Sequence, residues 1–104
     1  MKKTLVRYKV KADRVAENQQ CVVKVFQQLR EARTAGLHYA SFRLDDGVTF
    51  VHIVFRETDD ARNPLNELSA FKAFTAGIAE RCVEPPVVSE LSEVGSYRFF
   101  GSEG

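Results

Sequence analysis

The segment Val48-Thr49-Phe50-Val51-His52-Ile53-Val54-Phe55 constrains the fold more than any other part of the chain. An extended backbone sends successive side chains to opposite faces, and here both sets are largely apolar. Thr49, Val51, Ile53 and Phe55 make one face, and Val48, Phe50, His52 and Val54 the other. Water suits neither, so this strand is expected inside a sheet that is covered on both sides. Asp45-Asp46-Gly47 precedes it and is a strong hairpin signal, which makes Leu37 to Leu44 its antiparallel neighbour.

The remaining elements follow from periodicity. Between Thr4 and Lys11, Val6, Tyr8 and Val10 point one way and Arg7, Lys9 and Lys11 the other, the pattern of a half-buried first strand. Val22, Val25, Phe26 and Leu29 recur at helical spacing with Cys21 and Ala32 beside them, predicting a long amphipathic helix with Asp13 as N-cap and Gly36 as stop. Asn63-Pro64 predicts a second helical start, followed by Leu65, Leu68, Phe71, Phe74, Ile78 and Cys82. Ser69 offers a second cap inside it, so a short helix followed by a longer one over 70–82 is one form of this segment. Pro85-Pro86 ends helical structure. Val87 to Val94 then reads as the last strand, with Gly95 as a bulge before Tyr97-Arg98-Phe99-Phe100.

The order βαββαβ in a chain of 104 residues predicts one domain, 1–104, of α+β class. Its expected architecture is ferredoxin-like, a four-stranded antiparallel sheet with both helices on one face. The other face is then bare unless a partner covers it. Two copies meeting sheet to sheet about a two-fold axis, a dimeric α+β barrel, satisfy the doubly apolar strand, so a homodimer is expected. On that footing Lys at Phe50 or Val54 is expected to split the dimer or unfold the chain.

Composition removes several function classes. Fifteen basic against fourteen acidic residues leave a net charge of +1, so no overall field attracts phosphate backbones or anionic lipid, and neither nucleic acid nor membrane is an expected partner. The element order is shared with RNA-recognition modules, but strand three lacks their glycine and basic residue. Met1-Lys2-Lys3-Thr4-Leu5 resembles the start of a signal peptide, yet Arg7, Lys9 and Lys11 break the apolar run it would need, and a cytoplasmic location is expected. Cys21 and Cys82 form no CxxC pair and read as reduced core thiols. Two histidines without an acidic partner make no metal site, and no phosphate-cradling glycine loop, GxSxG turn or carboxylate pair appears, so no cofactor is expected.

His52 is the candidate catalytic residue, because an imidazole on an otherwise apolar strand can act as a base or as an orienting donor to a bound ring. The plainer alternative is a hydrogen-bonded histidine at the dimer interface. Phe50 and Arg56 share its face by alternation, and Tyr8 joins them if strands one and three are neighbours. Arg56 equally suits an ion pair with Glu57, Asp59 or Asp60. Tyr39 is a further ligand-contact candidate whose facing depends on the hairpin. A two-residue Asp46-Gly47 loop sets Tyr39 opposite Val54 and Ser41 opposite His52. A three-residue loop sets Ala40 opposite His52 and His38 opposite Val54, and only then do both histidines share a face. Phe71 and Phe74, with Leu68 and Ile78, either roof a pocket or are simply the core side of helix two.

Phe50-Val51-His52-Ile53-Val54-Phe55-Arg56-Glu57 through Ser69-Ala70-Phe71-Lys72-Ala73-Phe74, together with Gly36-Leu37-His38-Tyr39, resembles the dimeric α+β barrel proteins of the antibiotic-biosynthesis-monooxygenase type. The resemblance implies two sheets closing into a barrel, and in each subunit a pocket between sheet and helices. It also implies an aromatic or apolar small-molecule ligand, with cofactor-independent oxygenation or proton-transfer isomerisation as the reactions. Many members carry a Glu and a Trp two apart near the end of strand three, where this chain has Val54 and Arg56, and it contains no Trp. The haem-degrading members place an Asn in strand one and a ligating His on helix two, where Val6 and Thr75 stand. A noncatalytic ligand-binding or sensing dimer is the alternative function.

Overall fold

The computed structural model describes residues 1–57 and 63–99. Strand β1 (Lys2–Val10) leads through a 3-10 turn (Ala12–Arg14) into helix α1 (Val15–Ala32), and the hairpin β2 (Leu37–Arg43) and β3 (Thr49–Arg56) follows. A second 3-10 turn (Pro64–Glu67), helix α2 (Ser69–Arg81) and strand β4 (Cys82–Glu90) complete the order. The sheet runs β2-β3-β1-β4 and every pairing is antiparallel, so the ferredoxin-like expectation holds. The doubly apolar strand β3 is central, as its sequence requires.

The hairpin register resolves the facing. Tyr39 lies opposite Val54 and Ser41 opposite His52, the outcome of the Asp46-Gly47 alternative. The turn itself is wider: Leu44 N–H still bonds the Thr49 carbonyl, and the Gly47 N–H returns to the Leu44 carbonyl. Gly47 takes φ +81°, which a residue without Cβ adopts at little cost. Asp46 braces the turn by accepting from the Val48 and Thr49 amides and from the Thr49 hydroxyl. These bonds hold its carboxyl down at about 2.

Three boundaries differ from the sequence reading. Helix α1 stops before Gly36, because Arg33 takes the left-handed conformation (φ 49°) and its N–H closes on the Leu29 carbonyl. Asp13 sits inside the 3-10 turn, and no side chain caps α1. Asn63 does cap the second turn, accepting from the Leu65 amide at 3.1 Å, but the start of α2 is capped from α1 instead: Gln28 accepts from the Ala70 amide and donates to the Ser69 hydroxyl, both at 2.8 Å.

The largest correction concerns Pro85-Pro86, which lie within β4 rather than before it. This is an edge strand, where a missing N–H costs least. The ladder skips there: Arg7 faces Val87 and Lys9 faces Glu84, so three residues are spanned on β4 for two on β1. The strand ends at Glu90, short of Val94, and Phe100 lies outside the described residues.

Both helices cover the face of Tyr8, Val10, Phe50 and His52, and the core lies between them and the sheet. Cys21 and Cys82 are free thiols packed against that core. The opposite face carries Leu5, Val51, Ile53 and Phe55, with Phe42 half exposed on β2 and Val87 on β4. Phe50 and Val54 therefore point at the helices, so of the two effects expected of Lys at these positions, splitting a dimer or unfolding the chain, their place beneath the helices favours unfolding. No helix among the described residues is long and apolar enough to cross a membrane.

Candidate functional site

His52 is 3% exposed and stands at the centre of a hydrogen-bonded series that crosses the layer between sheet and helices. Its Nδ1 is 2.6 Å from the Tyr39 hydroxyl and its Nε2 is 2.8 Å from the Tyr8 hydroxyl, with Ser41 Oγ at 3.4 Å from the same Nε2. The strand registers produce this arrangement. Ser41 on β2 and Val6 on β1 lie directly opposite His52, and Tyr8 and Tyr39 are each one same-face position along. A phenol ring reaches across that diagonal.

The series continues into the helices. Asn18 of α1 is fully buried and donates Nδ2–H to the Tyr8 hydroxyl at 2.9 Å. Arg81 of α2, 2% exposed, donates from Nε to Asn18 Oδ1 at 3.1 Å and from its terminal nitrogen to the Phe74 carbonyl at 2.9 Å. Its guanidinium also lies 5.4 Å from the centre of the Phe74 ring. No carboxylate pairs with Arg81 among the described residues, so a buried positive charge rests on an amide, a carbonyl and a ring face.

Burial sets the protonation states. With desolvation as the cause, the His52 imidazole is pushed down to about 4 and is neutral at physiological pH. Burial also raises both phenols well above their ordinary range; at Tyr8 the Asn18 hydrogen bond and the Arg81 charge oppose that rise without cancelling it. All three rings are thus neutral hydrogen-bonding groups.

Beside them opens a cavity of about 390 Å³. Tyr8, Tyr39 and His52 form its polar end, and Val6, Val54, Leu65, Phe71, Phe74 and Ile78 its apolar wall. Lys2 and Arg56 line it too, opposite one another in the β1–β3 ladder. Phe71 and Phe74 therefore line a pocket as well as filling the core side of α2. Of the sequence candidates, Tyr8, Tyr39, His52, Arg56, Phe71 and Phe74 all meet here. Phe50 does not line the cavity: it stacks on Tyr8 from behind, ring centres 5.6 Å apart and nearly parallel, and fixes that phenol's plane. Asp59 and Asp60, offered as ion-pair partners for Arg56, lie outside the described residues.

His38 falls on the opposite face, its Nε2 3.0 Å from the Glu57 carboxylate, so the two histidines do not converge. Among the described residues no group of three metal-ligating side chains occurs. Val6 and Thr75, the positions aligned with the Asn and His of haem-degrading proteins, both line the cavity, and the Thr75 hydroxyl is turned back to the Phe71 and Lys72 carbonyls. Asn18 and Arg81 were not candidates in the sequence. Asn18 falls among the polar residues of α1, and Arg81 reads as a basic residue favoured at any helix C-terminus.

Fold and cavity together define a ferredoxin-like α+β protein with a small-molecule-sized pocket between its layers. No protein-family model and no curated protein matches the chain. Solved structures do, and several of them are named as antibiotic biosynthesis monooxygenases. A provisionally assigned antibiotic biosynthesis monooxygenase from Nitrosomonas europaea superimposes with a TM-score of 0.76 at 19% identity, over 91% of this chain and 100% of that one. A second, from Caulobacter crescentus, gives 0.70 at 22% identity over 90% of each chain. A single-residue variant of SnoaB, a cofactor-independent oxygenase from Streptomyces nogalater, gives 0.68 at 14% identity over 91% of this chain and 94% of that one. At these identities the likeness is one of fold.

Proposed function

We propose that this chain works as a homodimer that binds a small aromatic or otherwise apolar metabolite in the cavity between sheet and helices, and that it oxygenates the ligand without a cofactor. The observation that carries the reading is the cavity itself, a chamber of about 390 Å³ with an apolar wall, the linked Tyr8, Tyr39 and His52 toward one end of the β1–β3 ladder and the charged Lys2 and Arg56 at the other. The reaction class is supported by the fold shared with SnoaB, a cofactor-independent oxygenase. In such chemistry the substrate supplies the electrons: an activated CH2 group and O2 give a carbonyl and water. The protein's part is to exclude water, hold the ring system and manage protons. His52 is the central polar group of that machinery, with Tyr8 and Tyr39 as its hydroxyl partners and Phe71 and Phe74 as the ring-contacting wall.

The second reading, a noncatalytic binding dimer, is favoured by one specific feature. Both His52 nitrogens are already engaged by tyrosine hydroxyls, which leaves no free lone pair to take a proton from a ligand. Oxygen uptake with anthrone as probe, followed by product analysis, separates the two. Conversion of anthrone to anthraquinone that is lost in His52→Ala supports the oxygenase. Saturable anthrone binding without oxygen uptake supports the binder, and absence of binding defeats both. The dimer is tested separately by native mass spectrometry, where a mass of about twice the 11.7 kDa chain is expected. A cytosolic setting is part of the same proposal.

A further inference from the structure

The donor and acceptor capacities of the five linked side chains point to one ordering of their protons. A guanidinium only donates, so the Asn18 atom 3.1 Å from Arg81 Nε is the amide oxygen. The Asn18 atom 2.9 Å from the Tyr8 hydroxyl is therefore the NH2 group, which also only donates. The Tyr8 oxygen must accept that bond, and its own proton goes to its other neighbour, His52 Nε2 at 2.8 Å. His52 Nε2 is the only protein acceptor beside the Tyr8 hydroxyl among the described residues, so any other direction leaves its proton without a protein partner on a side chain 2% exposed, at a cost of roughly 1–3 kcal/mol.

With Nε2 accepting, the single proton of the neutral imidazole sits on Nδ1. The Tyr39 oxygen, 2.6 Å away, accepts it. The Tyr39 O–H is then left over, and Tyr39 lines the cavity. Ser41 Oγ, 3.4 Å from Nε2, fits the scheme as a second, weaker donor to that nitrogen.

We propose that Arg81 is a positioning residue that sets the direction of this chain from helix α2, and that its far end presents the Tyr39 hydroxyl to the cavity as a donor. The site then selects ligands that carry an acceptor oxygen, a ketone carbonyl or an oxyanion, at the end of an apolar ring system. Arg81 touches no ligand; it acts through Asn18, Tyr8 and His52. The ligand half of this inference rests on the cavity being a binding site, whereas the proton order does not.

The test begins with the protein alone. The chain has two histidines, so in a His38→Gln background the ring-nitrogen NMR signals belong to His52. Near neutral pH, Nδ1 is expected to show the signature of a protonated nitrogen and Nε2 that of an acceptor. In Asn18→Asp the carboxylate accepts from both Arg81 and Tyr8, the Tyr8 proton turns away from the ring, and Nε2 is expected to become a donor. A parent protein protonated at Nε2 overturns the ordering even if the variant fails to fold. A folded variant whose Nε2 remains an acceptor overturns the control by Arg81 and Asn18.

The ligand half is read with α-tetralone and tetralin, which share a ring skeleton and differ by one carbonyl. Tyr39→Phe is expected to weaken α-tetralone binding by about tenfold, the worth of one hydrogen bond, and to leave tetralin unaffected. Equal affinity of the parent and Tyr39→Phe for α-tetralone overturns the donor role while the cavity reading survives. Binding of neither probe overturns the cavity reading and the ligand selection with it, and the proton order still stands or falls on the histidine spectra.

Discussion

The two faces of strand β3 are almost equally apolar, yet they have opposite fates. Phe50 and His52 are each 3% exposed beneath the helices, whereas the far face, with Val51 and Ile53 at its centre, is flanked by Phe42 at 52% and Val87 at 62% exposure. The helix-facing side gains its cover within one chain. The far side has part of a cover, since Phe99 stacks on Phe55 with ring centres 5.9 Å apart, but its middle stays open to solvent. Apolar character alone therefore does not tell a core face from a docking face. What separates them here is the polar content: the covered side carries a satisfied hydrogen-bonded series, and the open side carries the charges Lys3, Arg7 and Lys9 of the inner strand β1, with Arg7 directly opposite Val51.

Neighbouring substitutions on this one strand separate its two faces with the largest expected effect. Phe50→Lys places an ammonium group in the core and is expected to abolish cooperative folding, seen as loss of the thermal transition by circular dichroism. Ile53→Lys, three residues on and on the other face, is expected to leave the subunit folded and to halve the mass in sedimentation. A folded Phe50→Lys protein, or an Ile53→Lys protein that stays dimeric, assigns the faces the other way. Next in size, Phe74→Ala removes a ring that touches Tyr8, His52 and Phe71 and is expected to cost about 3–5 kcal/mol in denaturant unfolding.

The series itself gives a pH prediction. In the unfolded chain His52 titrates near 6.5, and in the folded protein burial pushes it down to about 4. Below 6.5 the unfolded state takes up the proton more readily, so stability is complete above that pH and is lost as pH falls through 6.5 toward 4. The facing groups Tyr8 and Tyr39 are neutral throughout this range, and the Arg81 charge lies three hydrogen bonds away. The loss is expected to reach about 3 kcal/mol. A His52→Gln variant whose unfolding free energy falls as steeply over this range would show that another group is responsible.

A smaller change is expected within helix α2. Alanine usually stabilises a helix interior by about 1 kcal/mol over glycine, but a Cβ at Gly77 would stand 2.7 Å from an Arg81 guanidinium nitrogen. That end of the side chain is fixed by its bonds to Asn18 and the Phe74 carbonyl and cannot swing to solvent. Gly77→Ala is therefore expected to lower stability by about 1 kcal/mol, read as a small shift of the urea midpoint at unchanged slope. A stabilised variant would show that Arg81 is free to move.

Much of this was legible in the sequence, and the failures have physical causes. Element order and strand pairing follow from periodicity and from the Asp-Gly turn, and Tyr8, Tyr39 and His52 are readable as one-face candidates once the register is set. The facing of β3 was not readable, because alternation identifies two faces but does not say which one the helices cover. Pro85-Pro86 signal a break in any interior element. Their place in an edge strand depends on the sheet order, which is a tertiary fact. Asn18 and Arg81 escaped for a similar reason: a polar residue on a helix reads as solvent-facing unless its buried partner is known, and theirs are 63 residues apart.

The proline pair in β4 also governs how chains can meet. An exposed edge strand is a template on which a second chain can add by backbone pairing, and continued addition of that kind leads to open-ended aggregates. Two successive residues without N–H groups, set in a skipped stretch of ladder, remove the template in the middle of this edge. Edge-wise growth is closed off there, which leaves the apolar far face as the surface on which the proposed dimer would form.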